Sequence, residues 1–328
     1  MQFDVSIIIV NWNGGRLLSR CIETIVNSAP KATYEIVIVD NASSDDSLNE
    51  LRASDVAAPM LESAQIRIIC NSENRGFGAA NNQAFAVTDS PYVFLLNSDT
   101  EVPAGTIDTL IEKVKSDPKI GACGPKMLNT DGSLQVSVFF NPPCVWHTVM
   151  SQLWLYRLLP RRMRGDLLLG WHWNHDRERS VPMLGGAAIM ARREMIEQVG
   201  GFNERFHMYA EDNEWCWRIT KSNWRLVFVP EAVLLHHGAQ SSGKRWSQAD
   251  QIRVRLRAGF NFETEVLPRW RLAANQLANY VVVTMQITGR KLLGIQHPEL
   301  QVIKEMHREH LKRAVKETEV LMVLAHRS

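Results

Sequence analysis

The stretch Val93–Thr100, VFLLNSDT, passes from apolar residues to Asn97, Ser98 and Asp99 without a transition. A buried strand that ends in a carboxylate holds that charge on a rigid platform. An exposed carboxylate there suits a hard divalent cation, Mn2+ or Mg2+, whose shell is completed by substrate phosphates and water. His236 and His237 follow another apolar run, Trp224–Pro230. Either imidazole could add a nitrogen ligand, which would tilt the choice toward Mn2+. Asp40 closes the run Glu35–Asp40, a place where a carboxylate can accept hydrogen bonds from a base imide or a ribose hydroxyl. Arg75 has the fork geometry that pairs with a diphosphate. Gly76, opening the next helical segment, lets backbone approach a ligand closely. Glu211 and Asp212 sit in the first turn of a helical pattern, Ala210–Ile219, where acids ordinarily complement the helix dipole.

These groups need a frame. Val5–Val10, Glu35–Asp40, Ile66–Cys70 and Tyr92–Leu96 are short, apolar and rich in β-branched residues, the pattern of strands buried on both faces. Between them, Leu17–Val26 and Gly78–Val87 have helical spacing. Strand and helix in alternation predict a largely parallel α/β sheet with right-handed crossovers, and ligands in such sheets bind at the carboxyl ends of the strands. Polar residues follow every one of those ends: Asn11 to Gly14, Asp40 to Asp45, Asn71 to Gly76, and Asn97 to Asp99. Turn chemistry explains any single one of them. Four on one edge make a polar crevice.

Beyond this half, Gly121–Phe140 reads as short strands around the hairpin signal Asn129–Gly132. Asn141–Ser180 is irregular and rich in Trp, Pro and Arg. Within it, Leu153–Arg164 sets leucines and aromatics beside four arginines, a composition that fits a solvated helix end or an anionic membrane surface. Trp154, Trp171 and Trp173 could stack on the face of a ligand or fill a core. Val181–Phe202 predicts a strand, a short helix and a glycine stop, and the remainder from about Ser247 is helical by pattern.

With 328 residues, 45% of them apolar, the chain can build a large core. Its net charge of +2 gives no footprint for nucleic acid. Five scattered cysteines without a Cys-x-x-Cys pair fit reduced thiols in a cytoplasmic protein, and no apolar run reaches the length of a membrane span. Neither the dinucleotide fingerprint nor the P-loop pattern occurs, which counts against a dehydrogenase and a P-loop NTPase.

In order along the chain, SIIIVNWNG, IVIVDNASSDDS, NRGFGAANNQA, LLNSDT, GGAAIMARREMIEQVGGFNERFHMYAEDNEWCWR and LHHGAQSS together resemble the family 2 glycosyltransferases, in particular their rhamnosyltransferase-like branch. The resemblance implies a GT-A fold, which is Rossmann-like with a mostly parallel central sheet flanked by helices, here with a C-terminal helical extension. It places a glycosyltransferase domain at 1–243, with a nucleotide-binding part to about 125 and an acceptor-side part from about 126, and a helical region at 244–328. It implies an inverting, metal-dependent transfer from a nucleotide-sugar donor (dTDP or UDP) to a saccharide or polyprenyl-diphosphate-linked acceptor, in the cytoplasm or at the inner face of the plasma membrane.

Residue by residue, the resemblance makes Asp40 the ligand of the donor base, with Asn11, Asn13, Asn41, Arg75, Gly76, Asn81, Asn97 and Ser98 around the donor. Asp99 and His236 become the metal ligands and Asp212 the catalytic base. Gly186, Glu211 and Trp215 become acceptor-side residues. Asn97 stands where the family more often has an acid, and Glu214 departs from the commoner Glu-Asp-Val-Asp pattern. A sugar nucleotidyltransferase and a non-catalytic nucleotide-sugar binder are the alternatives. The former lacks its Gly-rich, Arg-containing loop after the first strand, where Asn11–Gly15 stands instead.

Overall fold

The computed structural model describes residues 3–238, 247–295 and 297–325. The four apolar runs become β1 (Val5–Asn11), β2 (Tyr34–Asp40), β3 (Ile66–Cys70) and β4 (Tyr92–Asn97). Their pattern decides their place. Ile7, Ile9, Ile36, Ile38, Phe94 and Leu96 face one core, while Ile8, Val37 and Leu95, the alternate residues, are equally buried on the other face. Burying such a side chain is worth about 1.5–3 kcal/mol, so a one-residue slip of register would be costly. β1 pairs parallel with both β2 and β4, Asn11 lying opposite Asp40 and Val10 opposite Asn97.

The sheet then departs from the parallel pattern. After β5 (Thr100–Glu101) come β6 (Ile120–Leu128), β7 (Leu134–Gln135), β8 (Arg179–Val181), β9 (Ala188–Arg192) and β10 (Arg225–His236). The order across the sheet is β3-β2-β1-β4-β9-β6-β10-β5, with β7 on β6 and β8 on β10. β9 runs antiparallel to both β4 and β6, so the sheet is mixed.

The sequence pattern ends the last strand at Pro230, but β10 continues to His236. The register against β6 shifts between Val229 and Val233, and that irregularity absorbs the proline, which has no N–H to donate. The extension reaches β5 and pairs His236 with Thr100. A proline-bearing segment thereby brings a histidine beside the end of β4.

Two compact units emerge, one from Met1–Phe139 and Asn174–Lys244, the other from Phe140–Trp173 and Arg245–Ser328. The sequence reading keeps the irregular Trp-rich stretch in the glycosyltransferase part. In the structure it joins the C-terminal helices. The reason is the apolar helix Val145–Gln152, which packs on the helix Arg269–Leu292. Asn275 and Gln286 donate to the Pro143 and Gln152 carbonyls, at 2.9 and 3.0 Å. The expected boundary at 243/244 lies outside the described residues.

Candidate active site

β4 and β10 end side by side. Asp99 Oδ1 lies 3.1 Å from His236 Nε2, and Asn97 Nδ2 lies 3.4 Å from the same nitrogen. On the other side of the ring, His236 Nδ1 is 2.6 Å from Gln135 Oε1. The orientation of that amide is set by its nitrogen, which donates to Asn129 Oδ1 at 2.9 Å. An amide oxygen only accepts, so Nδ1 carries the proton and Nε2 presents its lone pair to Asp99. A lone pair and a carboxylate at this distance repel unless a proton or a cation lies between them. The donor set of one carboxylate oxygen and one imidazole nitrogen therefore fits a divalent cation, and suits Mn2+ better than Mg2+. Among the described residues no cluster of three or more His, Cys, Asp or Glu forms around a common point. His237 is engaged elsewhere: its Nε2 is 2.9 Å from Glu101 Oε1. That hydrogen bond, with Arg20 nearby, holds the Glu101 carboxyl below the usual range.

Asp212 enters from a different element. The helix Glu211–Lys221 follows two residues with positive φ, Tyr209 and Ala210, a backbone arrangement disfavoured for residues with a Cβ. It directs Asp212 at the Gly185–Gly186 turn. Asp212 Oδ2 accepts the Gly186 N–H at 3.0 Å and Oδ1 accepts the Asn213 N–H at 2.9 Å. A Cβ on Gly186 would stand 3.3 Å from that carboxylate, tighter than ordinary contact. Burial pushes the Asp212 carboxyl up, and the two backbone hydrogen bonds oppose the shift. Beside it, Glu211 is buried, and its Oε2 has no hydrogen-bond partner. Burial first, then the neighbouring Asp212 charge, raise its carboxyl to about 8. A cavity of about 360 Å³ is lined by Asn97, His236, Gln135, Gly186, Glu211 and Asp212. It thus joins the base candidate to His236, the imidazole of the metal pair.

The nucleotide-side candidates make a second cluster, bonded mostly to one another. Asp40 Oδ1 accepts from Asn11 Nδ2 at 2.8 Å and from Ser43 Oγ at 2.6 Å, and Oδ2 accepts the Ser43 N–H at 3.1 Å. Asn13, at φ 53°, takes the Ser44 N–H on its Oδ1 at 2.8 Å. Asn41 spans the third loop, donating to Asn74 Oδ1 and the Gly76 carbonyl and accepting the Arg75 N–H at 3.0 Å. Gly76 has φ 87°, and a Cβ there would collide with the His207 backbone. Arg75 is exposed, its guanidinium 3.9 Å from Glu204, so it can swing to a ligand.

Asn81 and Trp215 belong to neither cluster. Asn81 is buried inside its helix and donates to the Phe77 carbonyl, four residues back, at 2.9 Å. Trp215 is fully buried, its ring centroid 4.6 Å from that of Phe202 and its Nε1 donating to the Gly200 carbonyl. It forms core and offers no face to a sugar. Glu214 pairs with Arg218 at 2.6 Å, and Arg218 also ties down the Val199 and Gly201 carbonyls. Ser98 lies in the turn between β4 and β5.

The family model described as "Glycosyl transferase family 2" matches residues 6–159. An N-acetylglucosaminyl-diphospho-decaprenol L-rhamnosyltransferase of Mycobacterium tuberculosis is 28% identical over 252 residues, 73% of this chain and 77% of that one. Residues 6–159 thus carry the family 2 glycosyltransferase pattern. The low-salt glycan biosynthesis hexosyltransferase Agl10 of Haloferax volcanii is 26% identical over 89% of this chain and 82% of its own. Among solved structures, the mannosyltransferase PcManGT of Pyrobaculum calidifontis, in complex with GDP-Man and Mn2+, superposes with a TM-score of 0.55 at 17% identity, covering 97% of this chain and 87% of that one. The fold of this glycosyltransferase is GT-A, with C-terminal helices. Its sequence signals Asp99, His236 and Asp212, but not Gln135 or Ser43, whose partners lie 101 residues away and across a loop respectively. The only advance sign of Gln135 is its place just after the Asn129–Gly132 hairpin turn.

Proposed function

We propose that this glycosyltransferase moves a sugar, with inversion, from a dTDP- or UDP-sugar to a saccharide or polyprenyl-diphosphate-linked acceptor used in surface-polysaccharide synthesis. The observation that carries the reading is the shared cavity, bordered by Asp212 and by His236, whose Nε2 lies 3.1 Å from Asp99. Asp212 is anchored by the Gly186 and Asn213 amides, and its raised proton affinity suits a general base that takes the proton of an acceptor hydroxyl as that oxygen attacks the anomeric carbon. Asp99 and His236 would hold a divalent ion, which supplies neutralisation of the charge on the departing diphosphate. Asn97, as an amide, can hydrogen-bond the donor without adding negative charge beside it. Attack by the acceptor itself needs no covalent enzyme intermediate.

A deoxysugar donor and a polyprenyl-linked acceptor are supported by the name of the mycobacterial relative. Such an acceptor would place the enzyme at the inner face of the plasma membrane. The test is release of nucleoside diphosphate from dTDP- and UDP-sugars in the presence of Mn2+ or Mg2+ and a lipid-linked acceptor. The expected release requires metal and acceptor together and disappears in Asp212→Asn. Full transfer by that variant would remove Asp212 as the base, and pyrophosphate release from a nucleoside triphosphate would point to nucleotidyl transfer instead.

A further inference from the structure

The helix Arg269–Leu292 in the second unit buries Leu272, Asn275, Gln276, Val282 and Val283. Its opposite face is also apolar. Trp270 is 66% exposed, Leu277 50%, Val281 45%, Met285 54% and Leu292 84%. The spacing, with Ala274 between the first two, follows steps of three, four or a sum of them, so these side chains lie in one stripe rather than scattered around the helix. The stripe runs about 33 Å at 1.5 Å per residue. Scattered exposed apolar residues are ordinary, whereas an aligned stripe of this length marks an interaction surface. At its start the patch broadens into a cavity of about 380 Å³ walled by Phe140, Trp146, Leu267, Trp270 and Arg271.

Charge selects the occupant. The 24 residues from Arg269 to Leu292 contain Arg269, Arg271, Arg290 and Lys291 and no Asp or Glu. Of the helices packed against it, Val145–Gln152 carries no acid, and the acids Glu305 and Glu309 of Pro298–Ala325 lie on that helix's exposed positions. The cations flank the stripe at both ends, so a second copy laid along it, parallel or antiparallel, sets positive against positive. An anionic lipid surface satisfies both ends and the apolar face at once. No helix among the described residues is long and apolar enough to cross a membrane, so the fit is to a helix lying in the interface.

We propose that the Trp270–Leu292 face of this helix docks the enzyme on an anionic phospholipid surface, with Trp270, Leu277, Val281, Met285 and Leu292 entering the acyl boundary and Arg271 and Lys291, one beside each end of the stripe, meeting phosphate headgroups. This deepens the reading of a lipid-linked acceptor and rests on it only for its purpose, since the binding itself needs no substrate.

The experiment is sedimentation of the full chain with vesicles of phosphatidylcholine alone or mixed with phosphatidylglycerol. Basic residues near an anionic surface add to membrane binding, so binding is expected to be at least roughly tenfold stronger on the mixed vesicles and to weaken with salt. Leu277→Glu/Met285→Glu is expected to lose that binding with an unchanged circular dichroism spectrum and Tm, because both side chains are exposed. The inference is overturned if the native chain stays in the supernatant with phosphatidylglycerol, or if the double variant sediments like the native chain. It is equally overturned if the variant turns a dimer into a monomer while vesicle binding persists. Transfer to a short-chain, water-soluble acceptor separates the two readings. Transfer without vesicle binding defeats only the docking surface, and vesicle binding without transfer defeats only the proposed reaction.

Discussion

Two strand ends in one sheet are finished in opposite ways. Where β1 and β2 end, Asn11, Asp40 and Ser43 are buried or half-buried and bonded to one another, and Asn41 closes the loop before Gly76 in the same manner. Asn11 Oδ1, beside Gly14, is a buried acceptor there without a partner. Where β4 and β10 end, a carboxylate faces a lone pair, and Glu211 and Asp212 sit side by side with their proton affinities raised. The first cluster uses nearly all its hydrogen-bonding capacity to hold loops in shape. The second retains capacity for a cation, a proton and a hydroxyl. Polar residues at strand ends therefore divide into those that make the crevice and those that act in it.

The sharpest way to break this contrast is Asp212→Asn. The amide keeps the volume and can keep the Gly186 contact, so folding should be intact while turnover falls by roughly 10² to 10⁴, the usual contribution of a general base. A comparable loss of Tm would place Asp212 with the structural cluster. Asp40→Ala is the converse. It strands the Ser43 N–H and hydroxyl donors in a half-buried site, while Asn11 Nδ2 keeps the Ser43 and Ser47 hydroxyls, and should cost about 1–3 kcal/mol of stability by chemical denaturation. Unchanged stability accompanied by lost donor binding would make Asp40 a ligand group rather than a strut. Gln135→Leu comes next. Without its acceptor the His236 ring is free to turn, and loss of such a supporting partner typically lowers metal affinity about 10- to 100-fold. Mn2+ titration by calorimetry reads that change, and Gln135→Glu, which restores an acceptor, should recover ring orientation.

How much of this was visible in the sequence follows from the range of the interactions. β1 to β4 were legible because burial on both faces writes itself into consecutive residues. Asp99 and Asp212 were legible because an acid after an apolar run, or at a helix start, is a local signal. The passage of β10 through Pro230 was not, because only pairing with β6 and β5 explains why a strand survives a proline. Asp40 looked like a ligand group, since nothing local shows that Asn11, 29 residues away, already occupies it. Trp215 is an acceptor-side candidate by resemblance alone, and nothing local shows that Phe202 and Phe85 enclose it. The stretch 140–173 was assigned by its position in the chain, whereas its apolar helix chose the partner with the matching face.

The smallest effect on turnover is expected from Glu211→Gln, and it tests whether the second cluster is held against an unfavourable charge. An acid whose proton affinity is raised on folding binds more protons folded than unfolded. Stability is then fullest below the unfolded value, near 4.5, and declines as pH rises through the folded value of about 8. An amide cannot ionise, so the variant should match the native chain at acid pH and become progressively more stable than it as pH rises, the two curves running parallel above about 8. Tm measured against pH reads the divergence. The native slope also contains Asp212, raised in the same direction by burial. Glu211→Gln should therefore flatten the curve without levelling it, and the double variant Glu211→Gln/Asp212→Asn should remove what is left. Superimposable curves for the native chain and Glu211→Gln would mean that water or a bound cation already compensates the buried acid, and the contrast between the two strand ends would then be one of position alone.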